Sequence, residues 1–251
     1  NYMSSQNDIK KHATTKQGNE YLSFVYSEKR RPITNYPNQL AKKIISDLKI
    51  KSDNYLLDIG CGRGDMTNAF KKLGFKVEGV DISSECKDLL HPIKVYQENL
   101  EHDTIEERSS YYDIIFSKSL IEHLSSPLNF LFNCKKMLKP DGVIVLLTPS
   151  WMHHAFGPFY LDHTHVSPFT LQSLRDIGHL AGFKNIKVNY FYQIPMTWKY
   201  PWTKVFSKII AFLNLSYLPM HEGLIYIKLP SSINKYIRFS REVMLYAEMR
   251  L

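Results

Sequence analysis

Residues 56–64 read Leu-Leu-Asp-Ile-Gly-Cys-Gly-Arg-Gly, and this stretch decides how the rest of the chain is interpreted. An apolar run is followed by Gly60, Gly62 and Gly64, which allow backbone angles and a close ligand approach that a Cβ would prevent. After them, apolar residues recur with helical spacing until Gly74. The pattern predicts a strand, a glycine loop and a helix beneath a bound nucleotide-like ligand.

A second carboxylate follows one strand later. Residues 75–80 predict a short buried strand ending at Asp81, about 20 residues after the first glycine, where a carboxylate can bind ribose hydroxyls. The loop reads G-x-G-x-G instead of the dinucleotide pattern G-x-G-x-x-G, so the spacing alone leaves the ligand ambiguous. Asp58 in the preceding strand would repel a pyrophosphate, but it can orient the ammonium group of an amino-acid tail.

These segments resemble the class I methyltransferases that use S-adenosylmethionine. Three further segments follow in the family's order, and the resemblance covers about residues 37–190 and the last strand. They are Tyr112–Ser117, Glu122-His123-Leu124 and Met137–Gly142. The resemblance implies a Rossmann-like α/β fold with a seven-stranded, mostly parallel sheet, helices on both faces and an insertion before the last strand. It also implies S-adenosylmethionine as the cofactor.

The order of predicted elements indicates one methyltransferase domain over residues 37–251, after a mobile N-terminal segment at residues 1–36. Strands are predicted at about residues 76–80, 92–96, 112–117 and 142–148, and their alternation with helices predicts a parallel sheet. Thr170 predicts the N-cap of a later helix. Residues 183–191 supply the sixth strand, and residues 243–251 resemble the family's last antiparallel strand. Residues 193–240 are therefore predicted to be an insertion on the substrate side.

Composition limits the choice of partners and compartment. The chain has 251 residues, 44% of them hydrophobic, three cysteines and a formal charge of +8. The cysteines lack paired or metal-ligand spacing, and the basic residues form small dispersed groups that suit a solvated surface. Residues 116–119 also lack the Asn/Asp-Pro-Pro-aromatic motif of enzymes that methylate exocyclic or amide nitrogens. These features argue against a nucleic-acid substrate and predict a cytoplasmic protein without a secretory segment.

Residues 198–214 interleave aromatic residues with lysines. This pattern is typical of a helix packed on its own domain and also of a helix lying in a membrane interface. Helical spacing does not separate these two environments. The sequence therefore leaves peripheral membrane contact through residues 198–214 open, and it gives no indication of the oligomeric state.

The resemblance assigns the cofactor contacts residue by residue. Asp58 and Gly60 would meet the amino-acid tail, Asp81 the ribose hydroxyls and Ile82 the adenine face. Asn99 and Leu100 would meet the adenine edge; many relatives carry Asp in place of Asn99, although an Asn carbonyl can also accept a hydrogen bond. The complete predicted set is Asp58, Gly60, Cys61, Gly62, Gly64, Asp81, Ile82, Asn99, Leu100 and Ser117.

Residues 151–166, directly after the fifth predicted strand, hold the richest supply of candidate bases. A hydroxyl acceptor needs a general base to take its proton. Residues 161–170 resemble the D-x-T-H-V…F-T segment of methyltransferases among bacterial surface-glycan and natural-product tailoring enzymes, which implies His165 as base and Asp162 as its orienting carboxylate. His123 is a second candidate because it follows the fourth strand. Each histidine also has a structural interpretation, in which it fixes a loop or a helix start.

Four histidines and one acid within residues 153–165 could also ligate a metal. Their spacing matches no closed zinc pattern and adenosylmethionine needs no metal, so the sequence predicts no metal site. The predicted function is O-methylation of a hydroxyl on a glycan, a lipid-linked saccharide or another small molecule. Two alternatives remain: a nucleic-acid methyltransferase that uses the basic surface, and a non-catalytic binding module of the same fold.

Overall fold

The computed structural model describes residues 32–155, 158–213, 217 and 230–251, which form two compact units. Most of the N-terminal segment that the sequence predicts to be mobile, residues 1–31, lies outside the described residues. The first unit comprises the described residues up to Ser117 together with Phe132–Ile144. The second comprises Lys118–Leu131 and Val145–Leu251.

The first unit holds the predicted strand, glycine loop and helix near its beginning. Its complete elements are α1 (Tyr36–Leu48), β1 (Tyr55–Ile59), α2 (Asp65–Lys72), β2 (Lys76–Asp81), α3 (Glu85–Leu90) and β3 (Val95–Gln97). It also contains nearly all of β4 (Tyr112–Lys118), the end of α4 (Pro127–Met137) and the start of β5 (Leu138–Pro149).

The second unit contains residues 151–166, which we call the histidine-rich loop, and the described part of the predicted insertion at residues 193–240. After the rest of α4 and β5 come α5 (Trp151–His154), α6 (Leu171–Leu180), β6 (Asn185–Phe191), α7 (Pro195–Lys199), α8 (Lys204–Phe212), α9 (Ser231–Arg241) and β7 (Met244–Arg250). Short 3₁₀ turns lie at Ile121–His123, Pro158–Leu161 and Pro201–Thr203. Within the predicted insertion, residues 214–216 and 218–229 lie outside the described part of the chain.

The strands form a seven-stranded mixed sheet in the order β3-β2-β1-β4-β5-β7-β6. β1 pairs in parallel with β2 and with β4, and β2 pairs in parallel with β3. β7 runs antiparallel to β6, as the sequence predicts for the last strand. This topology confirms the Rossmann-like α/β fold, in which ligands bind where the strand order reverses, here between β1 and β4.

Local signals place most elements correctly. Thr170 caps α6 as predicted, because its hydroxyl oxygen accepts a hydrogen bond from the Ser173 N–H at 3.1 Å. The edge strand β3 is shorter than the predicted range 92–96. The Ile93 N–H donates to the Leu90 carbonyl at 2.8 Å, so the chain is still turning after α3 at that point.

β5 begins earlier than the predicted range 142–148. The N–H groups of Ser110 and Tyr111 donate to the carbonyls of Lys136 and Met137, both at 2.9 Å, so backbone pairing starts where α4 ends. Among the described helices, none combines the length and the apolar character needed to cross a membrane.

Candidate active site

The glycine loop joins β1 to α2 and is anchored to the end of β2. The N–H groups of Gly60 and Cys61 both donate to the Val80 carbonyl, at 2.8 and 3.2 Å. Gly64 has a φ of 85°, and a Cβ there would lie 2.0 Å from the Leu90 Cδ2 atom. Glycine is therefore favoured at Gly64 by the backbone angle, and any larger residue would also have to displace the Leu90 side chain.

Asp58 is the buried acid of β1. The Thr67 hydroxyl donates to its Oδ2 atom at 2.6 Å. Burial raises the pKa of Asp58 to about 7, against the opposing effect of this hydrogen bond. A ligand ammonium group near the carboxylate would favour its charged form, which fits the role predicted for Asp58.

Asp81 ends β2 with both carboxylate oxygens engaged by backbone N–H groups. Oδ2 accepts from Gly62 and Oδ1 accepts from Ser83, each at 2.9 Å. Burial raises the pKa of Asp81, and these backbone donors oppose the increase. Because each carboxylate oxygen has two lone pairs, Asp81 can hold the glycine loop and still accept ribose hydroxyls.

The residues predicted to contact the adenine edge follow β3, Ile82 follows β2, and Ser117 lies opposite Ile59 at the end of β1. The Asn99 side-chain oxygen accepts from the Glu101 N–H at 3.0 Å, so this residue shapes its own turn and its contact with adenine stays a prediction. Leu100 is buried, while Ile82 is partly exposed. The Ser117 hydroxyl donates to the Ile59 carbonyl at 3.0 Å, which links β4 to β1.

Cys61 fills a small space within the first unit. It packs with Cys86 and Leu90, and a Cβ on Gly79 would lie 2.9 Å from its sulfur. A hydrogen bond to Cys86 and burial raise the pKa of the Cys61 thiol. These contacts support the structural interpretation of Cys61 within the glycine loop.

A second polar cluster, which we call the EHH cluster, consists of Glu122, His123 and His165 in the second unit. Each residue offers one ligand atom, and the three atoms lie within 4.8 Å of one another. The two imidazole rings meet edge to face, with centroids 4.6 Å apart. The structure thus brings together two of the three predicted catalytic residues and adds Glu122.

Glu122 is completely buried, yet only one of its carboxylate oxygens has a hydrogen-bond partner. Oε2 accepts from the Thr148 hydroxyl at 2.9 Å, and Oε1 has no partner. Burial raises the pKa of Glu122 to about 7. Its backbone carbonyl accepts from the N–H groups of Val166 and Ser167, both at 2.9 Å, which fastens the histidine-rich loop to this residue.

The tautomer of each histidine in the EHH cluster follows from its neighbours. His165 Nδ1 lies 2.6 Å from the Phe159 carbonyl, which can only accept, so Nδ1 carries a proton and, in the neutral imidazole, Nε2 carries the lone pair. The Thr164 hydroxyl donates to Asp162 Oδ1 at 2.5 Å, so its oxygen accepts from His123 Nδ1 at 2.8 Å. Neutral His123 therefore also has its lone pair on Nε2.

The carboxylate of Asp162 is linked to His123. Its hydrogen bond from the Thr164 hydroxyl continues through Thr164 to His123 Nδ1, and its role in orienting His165 stays a prediction. The orienting group at His165 Nδ1 is the Phe159 carbonyl. A backbone carbonyl leaves no mark on the sequence, which explains why this partner is missing from the prediction.

The remaining histidines of residues 151–166 have other environments. His154 is buried, its Nδ1 atom lies 2.9 Å from the Ser150 carbonyl, and burial lowers its pKa to about 4. His153 lies 3.0 Å from the Ser150 hydroxyl, and burial lowers its pKa as well. His163 is exposed. His154 and His153 thus fit structural roles, and His163 offers a matched control for substitutions in the same loop.

Residues 28–188 match the protein family described as a methyltransferase domain. The chain belongs to this methyltransferase family. The match includes the glycine loop, Asp81 and the whole EHH cluster. S-adenosylmethionine is accordingly the cofactor of this methyltransferase, as the sequence predicts.

Curated relatives carry the name ubiquinone biosynthesis O-methyltransferase. The methyltransferase is 30% identical to that of Actinobacillus pleuropneumoniae over 104 residues, which cover 37% of this chain and 44% of the relative. It is 33% identical to that of Burkholderia vietnamiensis over 99 residues, which cover 37% of this chain and 43% of the relative. The chain therefore spans less than half the length of these relatives.

Solved structures show the same fold. A methyltransferase dependent on S-adenosylmethionine from Archaeoglobus fulgidus has a TM-score of 0.59 and 21% identity, covering 90% of this chain and 99% of that one. A putative methyltransferase from Haloferax volcanii, in a complex with the Trm112 activator, has a TM-score of 0.65 and 12% identity, covering 92% and 97%. At these identities the likeness concerns the architecture.

Proposed function

We propose that this methyltransferase transfers the methyl group of S-adenosylmethionine to a hydroxyl oxygen of a small molecule. The C–S bond of the sulfonium breaks as the C–O bond forms, and the hydroxyl proton leaves. Positioning and desolvation of the two reactants supply most of the catalysis in such a displacement. A hydroxyl acceptor additionally needs a group that removes its proton. The observation that carries the proposal is the EHH cluster with its two defined tautomers.

His165 is the proposed general base. Its Nδ1–H donates to the Phe159 carbonyl at 2.6 Å, which orients the ring and stabilises the imidazolium formed when Nε2 accepts a proton. His123 is the second candidate, oriented by Thr164 and Asp162. This arrangement resembles the general pattern in which a base is held in one tautomer by a neighbouring acceptor.

Two acceptor classes are compatible with the proposal. The name of the curated relatives supports an oxygen acceptor on a small molecule that is not a saccharide. The segment at residues 161–170 supports a saccharide hydroxyl, either on a glycan or on a lipid-linked saccharide. The aromatic insertion at residues 193–240 remains the segment proposed to contact the acceptor.

Calorimetry followed by a transfer assay tests this function. We expect the protein to bind S-adenosylmethionine and to pass a labelled methyl group to hydroxyls of either a phenol series or a saccharide series. Failure to bind at millimolar cofactor would contradict any enzymatic role and favour the non-catalytic binding module. Methylation of an amine series with the hydroxyl series untouched would contradict O-methylation. Salt-sensitive binding and methylation of RNA or DNA would instead establish the nucleic-acid alternative.

A further inference from the structure

The EHH cluster has the composition of a metal site. Two imidazoles and one carboxylate are a ligand set that binds divalent transition metals and leaves further positions open. A tetrahedral cation with ligands at about 2.1 Å holds them about 3.4 Å apart. The ligand atoms of Glu122, His123 and His165 already lie within 4.8 Å of one another, so small side-chain movements bring them to that spacing.

The unpartnered oxygen of Glu122 is an independent observation that points to a ligand. Glu122 is 0% exposed, and its Oε1 atom has no hydrogen-bond partner. Buried polar atoms are nearly always satisfied by protein, water or an ion. A cation bound to Oε1 satisfies this atom, while the Thr148 hydroxyl, 2.9 Å away, holds Oε2.

The surrounding hydrogen bonds have the form found around metal ligands. Ligating histidines commonly donate their other ring N–H to a carbonyl, a carboxylate or a similar acceptor, which fixes the ring and its tautomer. Here His165 Nδ1 donates to the Phe159 carbonyl, and His123 Nδ1 donates to Thr164, which itself donates to Asp162. Both lone pairs are consequently on Nε2, the nitrogen that would bind the cation.

We propose that Glu122, His123 and His165 bind a divalent transition-metal cation such as Zn²⁺, Co²⁺ or Fe²⁺. The inference rests on the proposed function for its chemical role only, and in that role the cation replaces His165 as the group that activates the hydroxyl, because His165 Nε2 is then a ligand. Binding itself can be measured without an acceptor. An open position on the cation takes the acceptor hydroxyl and lowers its pKa, so the proton passes to water before the oxygen attacks the methyl group. The sequence predicts no metal site from the spacing within residues 153–165, and that spacing could not show a site formed with Glu122 and His123, which lie outside those residues.

A second group of possible ligands, Cys61, Asp81 and Cys86, carries no such proposal. Its ligand atoms also lie within 4.8 Å of one another. Both oxygens of Asp81 accept backbone N–H bonds, and burial together with the bond to Cys86 raises the pKa of the Cys61 thiol. A thiol that stays protonated is a poor metal ligand.

Titration of the chelator-treated full chain with Co²⁺, followed by visible absorption and competition with Zn²⁺, tests the site. We expect one equivalent to bind in the wild type and in the control His163→Ala. Glu122→Gln and His165→Ala should each weaken binding more than about 100-fold, and Thr164→Ala by about 10–100-fold because it removes only the partner of His123.

Calorimetry with S-adenosylmethionine shows in parallel that each variant is folded. Equal Co²⁺ affinity in wild type, Glu122→Gln and His165→Ala would overturn the metal site. Methyl transfer that persists in a chelator, with no Co²⁺ bound, would overturn it while leaving the proposed function intact. Tight Co²⁺ binding without transfer to any hydroxyl would leave the site standing and contradict the proposed function.

An independent observation concerns α8, which buries its small polar residues and exposes its apolar face. Thr203, just before the helix, and Ser207 within it are buried at 3% and 0% exposure, respectively. The opposite side exposes large apolar residues to solvent. These are Val205, Phe206, Ile209, Phe212 and Leu213.

The charges around this face suit an anionic surface. At 100° per residue, Lys204 and Lys208 lie along one border of the exposed apolar face. The sequence has no Asp or Glu between Pro195 and Leu213. An apolar helix face with aromatic residues and bordering lysines is the pattern of helices that lie in the interface plane of a membrane. We infer that the exposed face of α8 binds the surface of an anionic lipid bilayer.

Co-sedimentation with vesicles tests this surface. We expect the protein to bind vesicles containing phosphatidylglycerol more tightly than vesicles of phosphatidylcholine alone. The pair Phe206→Asp and Phe212→Asp, and separately Lys204→Glu with Lys208→Glu, should weaken binding more than about tenfold. Leu180→Asp, at an exposed apolar position on α6, is the control.

Undiminished vesicle binding by both variant pairs would overturn the assignment. So would a wild-type dimer in light scattering that the Phe206 and Phe212 changes convert to a monomer, since a second copy of the chain would then be the occupant. The cofactor affinity of every variant, measured by calorimetry, checks that the chain is folded.

Discussion

Replacing His165 with alanine is expected to lower kcat by about 10²–10⁴-fold while the affinity for S-adenosylmethionine stays within about twofold of the wild type. His165 belongs to the EHH cluster in the second unit, whereas the residues predicted to contact the cofactor lie in the first. The exposed His163, two positions away, provides a matched control, and His163→Ala should retain full turnover. Steady-state kinetics with a hydroxyl acceptor and calorimetry with the cofactor measure the two effects.

The pH profile and the metal content distinguish the two ways in which His165 can act. If His165 is the general base, its loss removes the acidic limb of the kcat profile, and the residual rate rises with pH as hydroxide takes over. If His165 is a metal ligand, Glu122→Gln and His123→Ala lose as much turnover, and the bound cation is lost with it. Turnover of His165→Ala equal to that of His163→Ala would contradict both roles.

The conformation of the glycine loop and the place of Asp81 could be predicted from the sequence because their constraints are local. Gly64 adopts a φ of 85°, which glycine accommodates readily, and that restriction is visible in the sequence itself. The position of Asp81 relative to the first glycine could be predicted because it depends on the lengths of one helix and one strand, which the geometry of each element sets. Thr170 likewise predicts its helix start because an N-cap involves residues only three positions apart.

The EHH cluster could be predicted only in part because its contacts depend on the path of a loop. The loop places Thr164 between Asp162 and His123 and turns His165 toward a backbone carbonyl. No characteristic residue spacing in the sequence signals either contact. Glu122 was visible within Glu122-His123-Leu124, but its unpartnered oxygen is a consequence of burial, which a single sequence does not show.

The exposed apolar face of α8 is a second feature that the sequence alone could not predict, because it depends on packing. Periodicity identifies two faces of a helix, and the ordinary expectation is that the apolar face turns inward. Here the small polar Ser207 is buried, and Phe212 is 87% exposed. Which face turns outward depends on what the rest of the chain presents to the helix, so the sequence left both environments open for residues 198–214.

Replacing Asp81 with alanine is expected to weaken binding of S-adenosylmethionine by at least about 100-fold, since hydrogen bonds to a charged acceptor contribute about 1.5–3 kcal/mol each and ribose offers two hydroxyls. The change also removes the acceptor of the Gly62 N–H, so the glycine loop loses its connection to the end of β2. Calorimetric titration with the cofactor measures the affinity. Asp81→Asn should fall between wild type and Asp81→Ala, because an amide keeps one acceptor oxygen and loses the charge.

The variant Asp113→Ala is a control that separates the effect of Asp81→Ala on cofactor affinity from its effect on folding stability. The Asp113 carboxylate also accepts a backbone N–H, that of Tyr55 at 2.9 Å, and is paired with Lys139 at 2.8 Å. It lies near the beginning of β4, however, whereas Asp81 ends β2. Asp113→Ala should therefore lower the urea midpoint with little change in cofactor affinity, and Asp81→Ala should change the affinity far more than the midpoint. Equal cofactor affinities in the two variants would mean that Asp81 acts on the stability of the loop alone and that the ribose has another partner.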